Sequence, residues 1–442
     1  MLQVLTSLSA LIAAVSLVTI ANATMTTVMP LRLLQDGADE TTVAIFGAAY
    51  FLGFAVGCFS EPPRILRVGY IRAFAAAAAL CTSLAIVMDM TDSITLWVVL
   101  RFFMGLAIAA IFASVDGWIN ATTPDAMRGK VFSAYGWCIG ASAVLGQLLL
   151  VAWDGLAVGF ITLLALAFNF AVMLVAMTRA SAPSAGPPEG REARGGPLLV
   201  MTSATAILAA IYAGLVTTAI LAILPAILAG NGVSEGVIAW VIASFFIGRL
   251  VAQIPVGIIA DRVDLRLMIA IVAILTGSLA LLGSLLVLAD VARIAELAGL
   301  ARSLVFLVLM ALGGGLILPL YTVANSLAFA RAEGQPAVRV ATTLLLVNSA
   351  GSVAGPLLVA AVLPTLGEHA LSLVIAAVSA VMAAFALWRR SGRAAHAPAH
   401  TGLSEIPTTS VALTGSVAEV KAEAQEMAAA ASDDPAAGQP AR

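Results

Sequence analysis

The chain predicts an all-α membrane protein, twelve transmembrane helices arranged as two parallel six-helix repeats. Three observations carry this. First, 61% of the 442 residues are hydrophobic, only 10% are charged and the mean hydropathy is +1.05. A soluble domain has about 25% charged residues, so this much apolar surface needs lipid as its solvent. Second, apolar runs long enough to span recur from end to end, and a spanning helix takes about 20 such residues. A membrane barrel would alternate apolar and polar positions instead. Third, the chain matches itself when shifted by a little under half its length.

The runs fall at 6–29, 42–60, 70–88, 94–118, 131–152, 160–178, 198–228, 236–259, 266–289, 303–327, 340–363 and 370–388. The first contains Ala21-Asn22-Ala23, which resembles a signal-peptide cleavage site. It has no Lys or Arg ahead of it and its apolar run is long, so a retained first span is expected. Between the sixth and seventh runs, RASAPSAGPPEGREARGG reads as a linker by its Pro, Gly and polar content. The stretch 391–442 is rich in Ala, Pro, Ser, Thr and Glu, has no aromatic residue, and reads as a disordered tail. The expected organisation is an N-terminal bundle at 1–178, a linker at 179–197, a C-terminal bundle at 198–390 and the tail at 391–442.

Basic residues orient the chain. With both termini in the cytoplasm, seventeen of the 22 Lys and Arg residues fall on the cytoplasmic side. Only Arg32, Arg293 and Arg302 fall on the other, and Arg101 and Arg249 lie within spans. That asymmetry is the positive-inside pattern, and it favours an even number of spans.

The repeat is specific. A gapless shift of 195 residues lays Pro30 on Pro225, Gly37 on Gly232, Glu40 on Glu235, Phe51 on Phe246, Gly53 on Gly248 and Arg67 on Arg262. A shift of 211 lays Arg128 on Arg339 and Gly140 on Gly351. An even number of spans separates the copies, so the halves share one orientation and are related by an axis along the membrane normal.

Three short motifs add to this. GIIADRVDLR, from Gly257 to Arg266, follows span eight; Arg101-Phe-Phe-Met-Gly105 lies on span four; Gly351-Ser-Val-Ala-Gly355-Pro356 lies on span eleven. They resemble the loop motif G-x-x-x-D-R-x-x-x-R, the R-x-x-x-G motif and the G-x-x-x-G-P motif of the major facilitator superfamily, and the resemblance covers about residues 6–388. With DGWIN at 116–120 and RGKVFSAYG at 128–136, the chain resembles a subgroup of bacterial inner-membrane members of poorly defined function. The resemblance implies alternating access about a central cavity lined by spans one, four, seven and ten. It also implies that Gly257, Asp261, Arg262 and Arg266 form a gate favouring the state closed toward the cytoplasm; the other reading of this cluster is a solvated positive-inside loop. In the first half the equivalent stretch is EPPRILRVGYIR, and Leu66 stands where Asp261 would be. Asp116, near the end of span four, is by resemblance a partner for Arg64 or Arg67; otherwise it simply reaches interfacial water.

The spans contain few chemical groups. An Arg at the bilayer centre costs roughly 2.5–3.5 kcal/mol on insertion scales, so such residues usually face a cavity or a partner. Arg249 sits near mid-depth with Gln253 one turn along the same face, Arg101 lies nearer the outer side, and no Asp, Glu or Lys lies mid-span. Either Arg can bind an anionic group of a substrate by charge-assisted hydrogen bonds, or serve as a tie to helix carbonyls. Asn22, Thr26, Tyr212, Thr217, Thr218, Tyr321 and Asn348 are the remaining candidate pathway residues, each also able to act as helix–helix glue. The absence of a mid-span carboxylate leaves proton coupling, facilitated diffusion and exchange all open.

The expected function is therefore secondary active transport of a small solute, with an organic anion or amphiphile favoured. Efflux of toxic compounds is the nearest alternative, and a transporter-like sensor or assembly factor that moves nothing is the alternative from another class. No nucleophile–base pair, nucleotide loop or metal-ligand spacing points to an enzyme. No cofactor, metal or nucleic-acid partner is expected. The expected protein is a monomer in the bilayer of a bacterial inner membrane.

Overall fold

Lipid offers backbone amides no water, so a spanning segment must bond them internally, and among the described residues the chain does this with helices alone. The computed structural model describes residues 2–123, 125–153, 159–177, 203–260, 262–288, 299–332 and 337–390. The helices are α1 (Leu2–Gln35), α2 (Glu40–Val68), α3 (Tyr70–Asp89), α4 (Ile94–Thr122), α5 (Asp125–Ala152), α6 (Phe160–Ala176), α7 (Ala204–Gly230), α8 (Glu235–Ala260), α9 (Leu265–Leu288), α10 (Gly299–Ile317), α11 (Leu320–Phe329), α12 (Ala337–Leu366) and α13 (Ala370–Arg390). Ten described stretches are long and apolar enough to cross a membrane, and α6 is a shorter apolar helix. One stretch, Val340–Arg390, holds both α12 and α13 around a short 3-10 turn at Gly367–His369. Another, Leu304–Phe329, joins α10 to α11. This arrangement accommodates the twelve expected passes.

Several boundaries differ from expectation for physical reasons. The second span does not stop at 60: α2 continues through Pro62 and Pro63 to Val68. The tenth is broken at Leu318–Pro319, because proline lacks the amide hydrogen that the helix ladder needs there. The first span does not stop at 29 either: α1 continues through Pro30 to Gln35. The seventh span was expected from 198, but α7 starts at Ala204, and residues 198–202 lie outside the described residues. The linker at 179–197 and the tail at 391–442 lie outside them as well.

The helix ends follow local chemistry. Asp39 caps α2, its carboxylate accepting from the Thr42 amide at 3.0 Å and from the Thr42 hydroxyl. Asp264 caps α9, accepting from the amides of Arg266 at 2.8 Å and Leu267 at 3.1 Å. α1 and α7 end alike. Gly37 and Gly232 adopt φ of 84° and 73°. The next amides reach back to the last turn, Ala38 to the Leu33 carbonyl at 2.9 Å and Val233 to the Leu228 carbonyl at 3.0 Å. This glycine-terminated cap, with one residue in the left-handed region, recurs at the offset of 195 residues read from the sequence.

The same repetition governs packing. A methyl built on Gly53 of α2 would strike the Phe102 carbonyl of α4, and one on Gly105 of α4 would strike the Tyr50 carbonyl of α2. In the second half, Gly248 of α8 meets the Ala311 carbonyl of α10, and Gly314 of α10 meets the Phe245 carbonyl of α8. Small residues let helix backbones approach this closely in membranes. A threonine clasp recurs in both halves. Thr24 of α1 donates to its own Ile20 carbonyl at 2.8 Å and to Gly146 of α5 at 2.7 Å. Thr218 of α7 donates to its own Gly214 carbonyl at 2.8 Å and to Ser352 of α12 at 2.8 Å. At the far end of the first half, Asp89 of α3 holds Arg32 of α1 at 2.9 Å and accepts from Thr162 of α6 at 2.6 Å.

The buried apolar residues form one large cluster in each half, with Ala226 and Ala239 joining the first cluster and Ala44 the second. The halves meet where α5 faces α8 (Gly140 against Leu250), where α2 faces α7 (Gly47 against Ala222) and where α2 faces α12 around Cys58, Ala109 and Leu345. This junction encloses the site.

Candidate substrate cavity

Between the halves lies a cavity of about 300 Å³, at mid-length of α2, α7, α8 and α12. Its first-half wall is largely aromatic: Tyr50, Phe51 and Phe54 from α2, and Phe132 with Ser133 from α5. Its second-half wall is polar. Thr217 and Thr218 come from α7, Arg249 and Gln253 from α8, Tyr321 and Thr322 from α11, and Asn348, Ser349 and Ser352 from α12. Leu318 and Pro319, at the break between α10 and α11, line it too, with Ala213, Gly214 and Ile317, and the described lining holds no Asp or Glu.

Three of these polar groups have unmet bonding capacity. Arg249 makes no hydrogen bond or ion pair with a described residue. The Gln253 side-chain oxygen is buried and accepts nothing. The Tyr321 hydroxyl is also buried; Asn325, one turn on, stands near it without forming a hydrogen bond. A buried polar group without a partner costs about 1–3 kcal/mol, more for charged groups. Two such groups and the half-buried Arg249 belong to one cavity whose described lining holds no acid, and each can pair with a polar group of a ligand. Asn348 instead donates to the Ala210 carbonyl of α7 at 2.9 Å, and so holds the wall in place.

Five of the ten expected pathway residues depart from this picture in whole or in part. Asn22, Thr26 and Arg101 do not line the cavity, because Tyr50 stands between them and it. Asn22 donates to the Tyr50 hydroxyl at 3.0 Å. Arg101 lies 4.4 Å from the centre of the Tyr50 ring and 5.2 Å from that of Phe46, with Thr26 accepting from its guanidinium at 3.3 Å. Aromatic faces thus supply the counter-charge that no acid does. Tyr212 faces away toward α13, sharing a 2.7 Å hydrogen bond with Ser379. Thr218 lines the cavity, but its hydroxyl is engaged in the clasp to α12. The lining therefore comes from spans two, five, seven, eight, ten and eleven; spans one and four stand behind it.

The expected gate is only partly described, since Asp261 lies outside the described residues. Gly257 is part of α8, Arg262 is exposed, and Arg266 is buried with its guanidinium donating to the Arg389 carbonyl at 2.8 Å. A cation on the carbonyl end of α13 is favoured by the helix dipole, so Arg266 ties α9 to α13 within the second half. In the first half, the expected link from Asp116 to Arg64 or Arg67 does not form. Arg64 pairs with Glu61 one turn away at 2.8 Å, and Arg67 is exposed. Asp116 is 0% exposed inside the packed face of α4, with the Tyr135 hydroxyl nearby but not hydrogen-bonded to it.

Sequence reasoning missed the aromatic wall. Tyr50, Phe51, Phe54 and Phe132 read as ordinary apolar content, although the repeat had already laid Phe51 on Phe246. A tyrosine three residues before the contact glycine Gly53 was the available signal for Tyr50.

Comparison with known proteins gives a consistent picture. A sequence profile of the Major Facilitator Superfamily matches residues 11–230 and again 206–423. An uncharacterized MFS-type transporter of Enterobacter sp. (strain 638) is 26% identical over 369 residues, 82% of this chain and 90% of that protein. The uncharacterized MFS-type transporter YcaD of Escherichia coli (strain UTI89 / UPEC) is 26% identical over 386 residues, 84% of this chain and 92% of that one. Among solved structures, the nucleoside transporter NupG aligns with a TM-score of 0.65 at 11% identity, covering 86% of this chain and 98% of that one. A bacterial homolog of the human lysosomal transporter Spinster, inward-facing and occupied, aligns at 0.59 and 14% identity, covering 95% and 96%. These two likenesses concern the fold.

Proposed function

The chain belongs to the Major Facilitator Superfamily and is a multi-pass membrane transporter, and from that premise we propose that its cargo is a small organic anion with an apolar body, carried by alternating access. The observation that carries this reading is Arg249, a guanidinium without a partner among the described residues, in a cavity whose described lining contains no acid. A charge-assisted hydrogen bond to a carboxylate is stronger than a neutral one, and a low-dielectric cavity strengthens it further. The aromatic wall of α2 and α5 suits the apolar body. The distribution of basic residues supports placing both termini on the cytoplasmic side of a bacterial inner membrane.

The test is ligand binding to the purified full chain, with melting temperature as a second readout. Carboxylates are compared with their neutral amides, in the parent and in Arg249→Gln. We expect carboxylates to bind the parent and to lose at least about tenfold in affinity in the variant, while amides change little. Equal binding of carboxylates and amides to the parent sinks the anion reading. A second reading, export of lipophilic compounds, draws on the five aromatic rings of Tyr50, Phe51, Phe54, Phe132 and Tyr321 around the cavity. Binding of lipophilic cations that is unchanged in Arg249→Gln would select it.

A further inference from the structure

Arg249 accounts for only one of the unmet groups in the cavity, and the others narrow the ligand. Gln253 follows Arg249 by one turn of α8, so their side chains leave the same helix face about 6 Å apart along the axis. Its oxygen is a buried acceptor without a donor. Tyr321 adds a buried hydroxyl without a partner, from the helix that follows the α10–α11 break. A buried acceptor without a protein donor is satisfied by a ligand that brings one, and a site built to bond such a donor discriminates strongly against analogues that lack it.

The donor has a definable charge. An ammonium group beside the carboxylate would stand next to the Arg249 guanidinium, and the described lining contains no acid to offset that repulsion. The first-half wall offers rings, and the Tyr50 hydroxyl already accepts from Asn22. A neutral hydroxyl close to the acid group fits both the Gln253 oxygen and the lack of negative charge. Opposite it, Phe51, Phe54 and Phe132 offer faces for a ring or a short alkyl chain.

We propose that the cargo is a hydroxylated monocarboxylate, its carboxylate on Arg249, a nearby hydroxyl donating to Gln253 and its apolar body against the α2–α5 aromatic wall. This rests on the anion reading above and deepens it. Amino acids of the same shape are disfavoured because their ammonium group would lie beside the Arg249 guanidinium with no acid in the described lining to offset it.

A matched series tests it on the full chain in detergent by equilibrium titration: mandelate, phenylacetate, phenylglycine and mandelamide. These share one aromatic body and differ in the hydroxyl, the ammonium or the acid. In the parent we expect mandelate to bind about tenfold tighter than phenylacetate, the worth of one well-made hydrogen bond. Phenylglycine should bind no better than phenylacetate. In Gln253→Leu the two acids should bind alike, both still measurably. Equal binding of mandelate and phenylacetate to the parent overturns the hydroxyl assignment and leaves the anion reading standing. A mandelate preference that survives in Gln253→Leu overturns the role of Gln253. Mandelamide binding as tightly as mandelate overturns the anion reading instead, and failure of every acid to bind removes both. The parent series decides the ligand class by itself, so a poorly folded variant does not blunt the test.

Discussion

Gly313 and Gly314 are neighbours in α10 with opposite surroundings, and replacing each by alanine yields a sharp prediction. A methyl on Gly313 meets nothing within 4 Å, whereas one on Gly314 lands on the Phe245 carbonyl of α8. Both substitutions bring the same intrinsic gain, since alanine in a helix interior is favoured over glycine by about 0.5–1 kcal/mol. That gain cancels between the two variants, and the difference left is the overpacking cost at the crossing, typically about 1–3 kcal/mol. The obstructing atom is backbone, so no rotamer change relieves it; α8 and α10 must part. Reversible denaturant unfolding of the purified protein in detergent measures both variants against the parent. Gly313→Ala should be as stable as the parent or slightly more so, and Gly314→Ala clearly less. Gly105→Ala, against the Tyr50 carbonyl in the first half, should lose a similar amount. Equal stability of Gly313→Ala and Gly314→Ala would refute the close crossing, and with it the claim that both halves are held by one packing device.

Two further expectations follow from the helix clasps and caps. Thr24→Val and Thr218→Val each delete the hydroxyl that bridges to the facing helix. Each should cost about 0.6 kcal/mol and at most about 1.7 kcal/mol in the same unfolding assay, the mean and the maximum for hydrogen bonds between membrane helices, and a large difference between the two would contradict their equivalence. At the start of α2, the Thr42 hydroxyl and then its amide hold the Asp39 carboxyl below the ordinary value of 3.8. A depressed native pKa adds stability that is complete above the unfolded value and is lost as pH falls through the native one. Melting curves from pH 6 to pH 3 should therefore fall more steeply below about pH 4 for the parent than for Asp39→Asn, whose amide caps without titrating. Parallel curves would count against the cap.

Much of the scaffold was legible because it is repeated. Gly37 on Gly232 and Gly53 on Gly248 were visible as letters at one offset, and each pair occupies the same cap or crossing in its half. What stayed hidden depends on rotation about helix axes. A chain of apolar helices in lipid lacks the polar stripe that marks the outer face of a soluble helix, so nothing in the sequence showed that Tyr212 faces α13 while Thr217 faces the cavity. Asn22 and Arg101 stood out as rare polar residues, and both belong to a polar cluster. Their shared contact with Tyr50 was invisible because it joins three helices. Arg249, Gln253, Tyr321 and Asn348 were legible as site candidates, but their common placement around one cavity required the fold.

The cavity is lopsided, with polar groups on α7, α8, α11 and α12 and rings on α2 and α5. In a carrier whose halves reorient as rigid bodies, contacts confined to one half are the same in every orientation and so favour no state over another. A ligand moves a conformational equilibrium only by its difference in affinity between the two states. The acid and hydroxyl of the proposed cargo would then set how tightly it is held, whereas its apolar body, touching the other half, would set how strongly it drives reorientation. Trimming that body should yield compounds that still bind but block turnover, a ready source of competitive inhibitors.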